Sequence, residues 1–339
     1  LNIDITEALT LMLRTGLDHF SEQRETKRPF SLKSNPKGGY GFETSFFNEM
    51  NSDFLLTYKK AVSEDWFFSI SGGASRMDRK TSGNSNFADA LVVSGLYNIS
   101  NAQAGTVRNY SGRSKKRINS VYGMGQVSYK NYIYLDLTAR NDWTSSLPTG
   151  NNSYFYPSAS LSAVLTDMFH VTSGPLSFAK LRLNWAQVGG DTDPYQLYNT
   201  YRFGQDWGVV KKAELDFTLK NNNLKPEIAT SSEIGADLRF FSGRLGIDAS
   251  YYIKNSRNQI MRIQTTMASG YGGRWINAGE IENKGWEVNL TGTPIKGAFN
   301  WDVSAVFSRN RNRVVKLTEG ISSLEMNSAE GVKYLIREG

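Results

Sequence analysis

The sequence predicts an all-β chain, and within that class part of a transmembrane antiparallel β-barrel. Three observations carry this. Apolar and polar residues alternate with period two through many segments, so each strand has one apolar and one polar face. Many segments run to about 11 residues or more, against ~5–6 for an average soluble strand and ~9–11 for a tilted membrane-crossing one. The connections alternate long and short, as in an outer-membrane barrel with short periplasmic turns and long external loops. Composition agrees: 7 Trp, 17 Tyr, 18 Phe and 31 Gly against 8 Pro in 339 residues favour strands.

Strands are expected at 7–22, 41–60, 65–80, 118–129, 132–143, 155–165, 178–189, 230–241, 244–262, 281–292 and 299–313, with another beginning near 334. In 132–140, Ile133, Leu135, Leu137 and Ala139 alternate with Tyr132, Tyr134, Asp136, Thr138 and Arg140. In 230–240, Ile234, Ala236, Leu238 and Phe240 share a face opposite Glu233, Gly235, Asp237 and Arg239. In 244–254, Leu245, Ile247, Ala249, Tyr251 and Ile253 oppose Gly246, Asp248, Ser250, Tyr252 and Lys254. Trp286, Val288 and Leu290 share one face of the next strand, and Trp301, Val303, Ala305 and Phe307 one face of the last.

Long connections fall near 23–40, 81–117, 144–154, 190–229, 263–280 and 314–333; the shorter ones are 61–64, 130–131, 166–177, 242–243 and 293–298. In this arrangement the apolar faces meet lipid and the polar faces line a wet interior. Trp66, Phe67, Tyr132, Trp143, Phe155, Tyr156, Trp286 and Trp301 lie near strand ends, where interfacial girdles form. For each of them a packed core position is the competing reading.

The same composition excludes other classes. There is no cysteine, so there are no disulfides or thiolate metal sites, and only His19 and His170 could supply imidazole. Neither histidine sits in a catalytic motif, so no enzyme and no cofactor is expected. The net charge of +7 comes with basic clusters at Lys115-Lys116-Arg117 and Arg309/Arg311/Arg313. Alternating barrel strands are no nucleic-acid motif; these clusters are expected at the outer surface, against lipopolysaccharide phosphate or solvent. No run reaches the ~18 apolar residues of a membrane helix. There is no signal peptide and no initiator Met, so the chain is taken as processed or as a piece of something longer. An open sheet edge in hydrocarbon is costly. About twelve strands must therefore either close on themselves or continue, and the ragged ends favour a segment.

Four stretches carry distinctive motifs: Asn223, Leu224, Pro226, Glu227, Glu233, Gly235 and Asp237, followed by Asp248, Tyr251, Tyr252, Gln259 and Ile260; Asn277, Gly279, Ile281, Asn283, Lys284, Gly285, Glu287 and Leu290; Ala139 to Asp142, Leu147-Pro148, Tyr156 to Ser158 and Leu161; and Lys180, Leu181, Arg182, Trp185, Gln187, Gly189 and Asp191. Together they resemble the SusC/RagA-type TonB-dependent outer-membrane transporters of Bacteroidota. The resemblance implies a barrel of about twenty-two strands plugged from inside. It also implies a TonB box ahead of the plug, a SusD-type surface lipoprotein as lid, and an oligosaccharide cargo, in some members a peptide. Residues 1–339 then read as one part of such a barrel domain, with the plug and final strands absent.

Several motif residues have mechanical readings. Gly285 suits a bulge or sharp entry into a strand, and Pro226 ends an external loop where a missing N–H does no harm. Gly235 and Gly246 either leave room in the lumen or mark close backbone contact. Glu233, Asp237, Arg239, Asp248 and Lys254 are expected to form a cross-strand polar ladder. Sugars offer C–H faces and hydroxyls, so cargo candidates are aromatic and polar residues of the external loops. Those of 190–229 are Asp191, Asp193, Tyr195, Tyr198, Tyr201, Gln205, Asp206, Trp207 and Asn221 to Asn223; Trp143, Tyr271 and Trp275 lie elsewhere. The competing reading packs these loops on one another or on the lipoprotein. Asp191-Thr192-Asp193 lacks the spacing and terminal Glu of a calcium loop. Two rival functions remain: a passive structural or adhesive barrel, and a soluble all-β glycan-binding module.

Overall fold

The computed structural model describes residues 1–204, 207–317, 323–329 and 332–339. The strands in chain order are β1 (Asn2–Asp4), β2 (Leu9–Leu32), β3 (Asn35–Ala61), β4 (Trp66–Ala88), β5 (Val107–Tyr129), β6 (Ile133–Thr144), β7 (Ser153–Val164) and β8 (Leu176–Gly190). Three short ones follow in a loop: β9 (Tyr201–Phe203), β10 (Ala213–Leu215) and β11 (Thr218–Leu219). The remainder are β12 (Glu227–Phe240), β13 (Leu245–Gln264), β14 (Gly273–Ile295), β15 (Trp301–Lys316), β16 (Ser323–Ala329) and β17 (Val332–Arg337). The main sheet is ordered β1-β2-β3-β4-β5-β6-β7-β8-β12-β13-β14, with β15 on β14. Sequential strands are therefore neighbours, the meander of an up-and-down barrel wall. Among the described residues no helix is long and apolar enough to cross a membrane; the strands do the crossing.

Where the alternation is strict, register follows it. Leu135 faces Leu161, Leu161 faces Leu183, Leu183 faces Ile234, Ile234 faces Tyr251 and Tyr251 faces Trp286. This apolar row crosses six strands. A second row runs Leu238, Ile247 and Leu290. Both rows are open to the surroundings, with Ile234 48% and Trp286 54% exposed in the first and Leu290 42% in the second. A soluble protein would bury such a face; a barrel turns it to lipid.

The strands extend further than the apolar pattern does. The stretch 23–40, expected as a long loop, is strand on both sides of a turn at residues 33–34. Likewise β4 and β5 run into the expected loop 81–117, and β14 starts well inside 263–280. Period two marks a strand only where one face is apolar. In 21–28 both faces are polar and the strand is held by its backbone ladder, with Arg24 bonded to Glu22 at 3.1 Å and Lys27 to Glu25 at 3.0 Å.

Gly285 makes neither a bulge nor a sharp entry. β14 passes through it in unbroken register, Tyr252 on one side and Asn310 on the other. The Tyr252 hydroxyl reaches over Gly285 to donate to Asn310 Oδ1 at 3.3 Å. A Cβ there would overlap the Arg309 carbonyl oxygen and lie 2.8 Å from the Tyr252 hydroxyl. The irregularities fall at Glu280/Ile281 and Gly292/Ile295 instead. Gly285→Ala should therefore destabilise the β13–β14–β15 pairing by about 1–3 kcal/mol. A lower temperature for loss of the compact form on unheated gels checks this, and an unchanged transition would refute it.

The chain divides into two compact units. One comprises Leu1–Met12, Phe54–Ala74 and Ser120–Gly339, the other Leu13–Asp53 and Ser75–Asn119. The first contains the apolar rows above. In the second, Phe20 stacks on Phe47 at 4.9 Å, Arg79 bonds Glu49 at 2.6 Å, and Arg14 bonds Asp53 at 3.0 Å. On the other side of β4, Asp78 accepts from both Arg76 and Arg117, at 2.6 and 2.7 Å. Its connection between β4 and β5 folds around buried Leu91 and Asn101, whose amide donates to the Val93 and Leu96 carbonyls.

Candidate functional site

The residues with the richest chemistry in the first unit are those of the 191–226 connection and the strand ends that hold it. A small core anchors this loop. Leu147, Tyr154 and Leu224 are buried together, with Tyr156, Leu197, Ile260 and Trp275 packed around them. These residues come from segments far apart in sequence, so loop and wall share one hydrophobic centre. Gly189 is bare where the Tyr154 ring lies; any Cβ would overlap that ring. Beside it, Asp142 accepts from Arg140 Nε and from the Tyr156 hydroxyl, both at 2.7 Å, and Arg140 also donates to Ser120 Oγ at 2.8 Å.

Asparagines close the loop's base. Asn277 donates to the carbonyls of Lys225 and Asn258 at 2.7 and 2.8 Å and accepts from the Lys225 N–H at 2.8 Å. Asn151 donates to the Leu224 carbonyl and Asn221 to the Trp275 carbonyl, each at 3.2 Å. The Glu227 carboxylate accepts the Ile260 N–H at 2.6 Å. Farther out, β9 and β10 form a two-stranded hairpin. There the Lys212 ammonium, hydrogen-bonded at 3.0 Å, holds the Glu214 carboxyl below its usual range, with Arg202 adding to the effect.

The candidate residues fall into two groups. Asp191 is a structural acceptor: Thr144 and Ser146, both buried, donate to its carboxylate, Ser146 at 2.8 Å. Trp275 on β14 belongs to the core that anchors the loop and accepts from Asn221, which in turn accepts the Asn223 N–H within the loop. By contrast Asp193, Tyr195, Tyr198, Tyr201 and Trp207 are exposed, Trp207 at 85%, and Trp143 is partly so. Tyr271 is half-buried. Gln205 and Asp206 lie outside the described residues. The anchoring roles of Asn151 and Asn277 carry no periodic signal and escaped the reading of the sequence.

Of the expected cross-strand ladder, Asp248 is bonded across strands with Arg182 as its partner, while Asp237 and Arg239 pair along β12 itself. Arg182 on β8 reaches across β12 to bond both oxygens of Asp248 on β13, at 2.6 and 3.1 Å. It passes over Gly235, where a Cβ would stand 3.0 Å from the guanidinium. So Gly235 serves a contact within the sheet. Gly246 is similar, with the Thr291 hydroxyl 2.5 Å from where a Cβ would lie. Arg239 bonds Asp237 at 3.2 Å.

A meander of long strands with an exposed apolar band, a hydrogen-bonded polar face and a large anchored loop defines a class: the wall of an outer-membrane β-barrel. Residues 2–328 match the family model described as TonB dependent receptor-like, beta-barrel, and the chain belongs to that family. It is similar to the TonB-dependent receptor P3 of Formosa agariphila, 27% identical over 318 residues that are 89% of this chain and 31% of that protein. It is also 27% identical over 226 residues to the TonB-dependent receptor SusC of Bacteroides thetaiotaomicron, covering 62% of this chain and 22% of that one. The chain thus spans a third or less of the length of these curated relatives. In fold it matches the RagAB peptide transporter with a TM-score of 0.86 at 19% identity, over 99% of this chain and 38% of that chain. The siderophore receptor PiuA from Acinetobacter baumannii matches at 0.59 and 15% identity, over 98% and 47%. The SusC/RagA resemblance of the motifs holds, and the protein's place is the outer membrane.

Proposed function

We propose that residues 1–339 form part of the barrel wall of an active importer whose cargo is an oligosaccharide. In this reading cargo is captured beneath a SusD-like lipoprotein and released inward when TonB acts on a plug supplied by the rest of the protein. The supporting observation is the loop 191–226: a buried core holds its base while Tyr195, Tyr198, Tyr201 and Trp207 stand exposed beyond it. Exposed rings on an anchored support suit the C–H faces of sugar rings. A peptide cargo is the second reading, favoured by the likeness in fold to the RagAB peptide transporter. The family consists of transporters and receptors, which agrees with a chain carrying no catalytic motif.

Growth of a deletion strain on defined oligosaccharides and on defined peptides, with and without the restored gene, separates the two cargoes. Loss of growth on oligosaccharides alone is expected. Loss on peptides alone would transfer the assignment to peptides. Growth that persists after TonB is inactivated would instead identify a passive barrel, and recovery of the protein without detergent would favour a soluble module.

A further inference from the structure

The second compact unit contains a cleft of about 430 Å³ that none of the loop candidates touches. It lies on one face of four strands. Glu22 and Arg24 alternate on β2, Glu43 and Ser45 on β3, Thr81, Gly83 and Ser85 on β4, and Tyr110, Gly112 and Ser114 on β5. The ion pair of Arg79 with Glu49 and the Phe20–Phe47 stack continue this face along the same strands. The face is thus a built surface, distinct from the one bearing Arg76, Asp78 and Arg117.

Two glycines shape the cleft. A Cβ at Gly112 would lie 3.1 Å from the Tyr110 ring, and one at Gly83 would lie 3.1 Å from the Thr44 carbonyl oxygen. Bare at Gly112, β5 lets the Tyr110 ring lie down along its own strand, and that ring remains 72% exposed. No aliphatic side chain lines the cleft. On this face the carboxylates of Glu22 and Glu43 meet one guanidinium, that of Arg24; Arg113 reaches the cleft from a β5 position that alternates with Tyr110, Gly112 and Ser114. Arg24 is already engaged, 3.1 Å from Glu22 and 3.9 Å from Glu43.

We propose that this cleft is a subsite for a neutral oligosaccharide, with Tyr110 as the platform for one sugar ring and Thr81, Ser85 and Glu43 as partners for its hydroxyls. The cleft's apolar surface is one aromatic ring and side-chain carbon of polar residues, with no aliphatic side chain to hold a purely apolar ligand, and an anion meets more carboxylate than guanidinium. An extended peptide gains most of its affinity from a free strand edge. In the cleft β3 and β4 have both edges occupied within the sheet, so a peptide would find an edge at the β2 rim, beyond the reach of β1, and none on the cleft floor. A sugar needs what is present: an open aromatic face surrounded by hydroxyl, amide and carboxylate groups. The proposal rests on the importer reading and adds a place and a charge class for its cargo.

The test uses the full-length protein purified in detergent, titrated calorimetrically with maltohexaose, xylohexaose and laminarihexaose, and separately with neutral and acidic hexapeptides. At least one neutral hexasaccharide should bind. Tyr110→Ala should weaken that binding by about tenfold or more, Tyr110→Phe should restore it, and Thr81→Val should cost about two- to tenfold. Heat-modifiable gel mobility verifies that each variant is folded. Binding unchanged in Tyr110→Ala, binding of peptides in place of sugars, or no hexasaccharide bound at millimolar concentration would each overturn the subsite. TonB-dependent growth on peptides alongside such a result would leave an importer standing without this subsite. Loss of TonB dependence would remove the importer reading itself.

Discussion

Ile234→Arg should destabilise the folded barrel by about 2–4 kcal/mol if the residue sits near the bilayer midplane, and by ~0–1 if it lies at the interface. Ile234 is central in the row that joins Leu183 on one neighbouring strand to Tyr251 on the other. Its side chain is half exposed, so in water the substitution would cost little; the penalty arises only if hydrocarbon surrounds it. Urea unfolding of the full-length protein in lipid vesicles measures it. Glu233→Gln, one residue along and on the opposite face, provides the control and should stay within about 0.5 kcal/mol. Equal effects from both substitutions would mean that the apolar face does not meet lipid.

Leu224→Ala should cost about 2–5 kcal/mol locally. Leu224 is fully buried, and it joins Leu147 and Tyr154 in the centre that ties loop to wall. Truncation opens a cavity at that joint while the strand ladders remain. The expected result is rapid proteolysis within 191–226 in a barrel that keeps its folded gel mobility. Cargo binding should fall with it if the loop's rings contact cargo. Tyr201→Ala, at a 77% exposed side chain of the same loop, should leave proteolysis unchanged. Protection of the loop in Leu224→Ala would show that its order comes from elsewhere.

The wall was legible because lipid on one side and water on the other impose an alternation that can be read directly. Leu135, Ile234, Tyr251 and Trp286 sit on apolar faces expected from their own strands, and the structure sets them in one row with Leu161 and Leu183. Segments polar on both faces, such as 21–28, gave no such signal, so 23–40 read as loop although it is strand on both sides of the turn at 33–34. The Tyr110 cleft escaped notice for the same reason, since its β5 wall lies in a stretch taken for a connection. The site was harder still. Thr144 and Asp191 are 47 positions apart, and their hydrogen bond is a product of the fold. Nothing in local spacing distinguishes Asp191, which holds the loop, from Asp193, which faces outward.

The glycines beneath crossing side chains have a consequence for assembly. Arg182 spans Gly235, Tyr252 spans Gly285, Tyr122 lies against Gly73 and Tyr154 against Gly189. Each pairing works at a single alignment of neighbouring strands. A strand docking one residue out of step would turn its faces over and bring a side chain under a ring that needs bare backbone. These glycines therefore add a steric penalty to a one-residue misalignment of the strands that carry them. Redesign of the inner surface must treat each glycine and the side chain above it as one inherited unit.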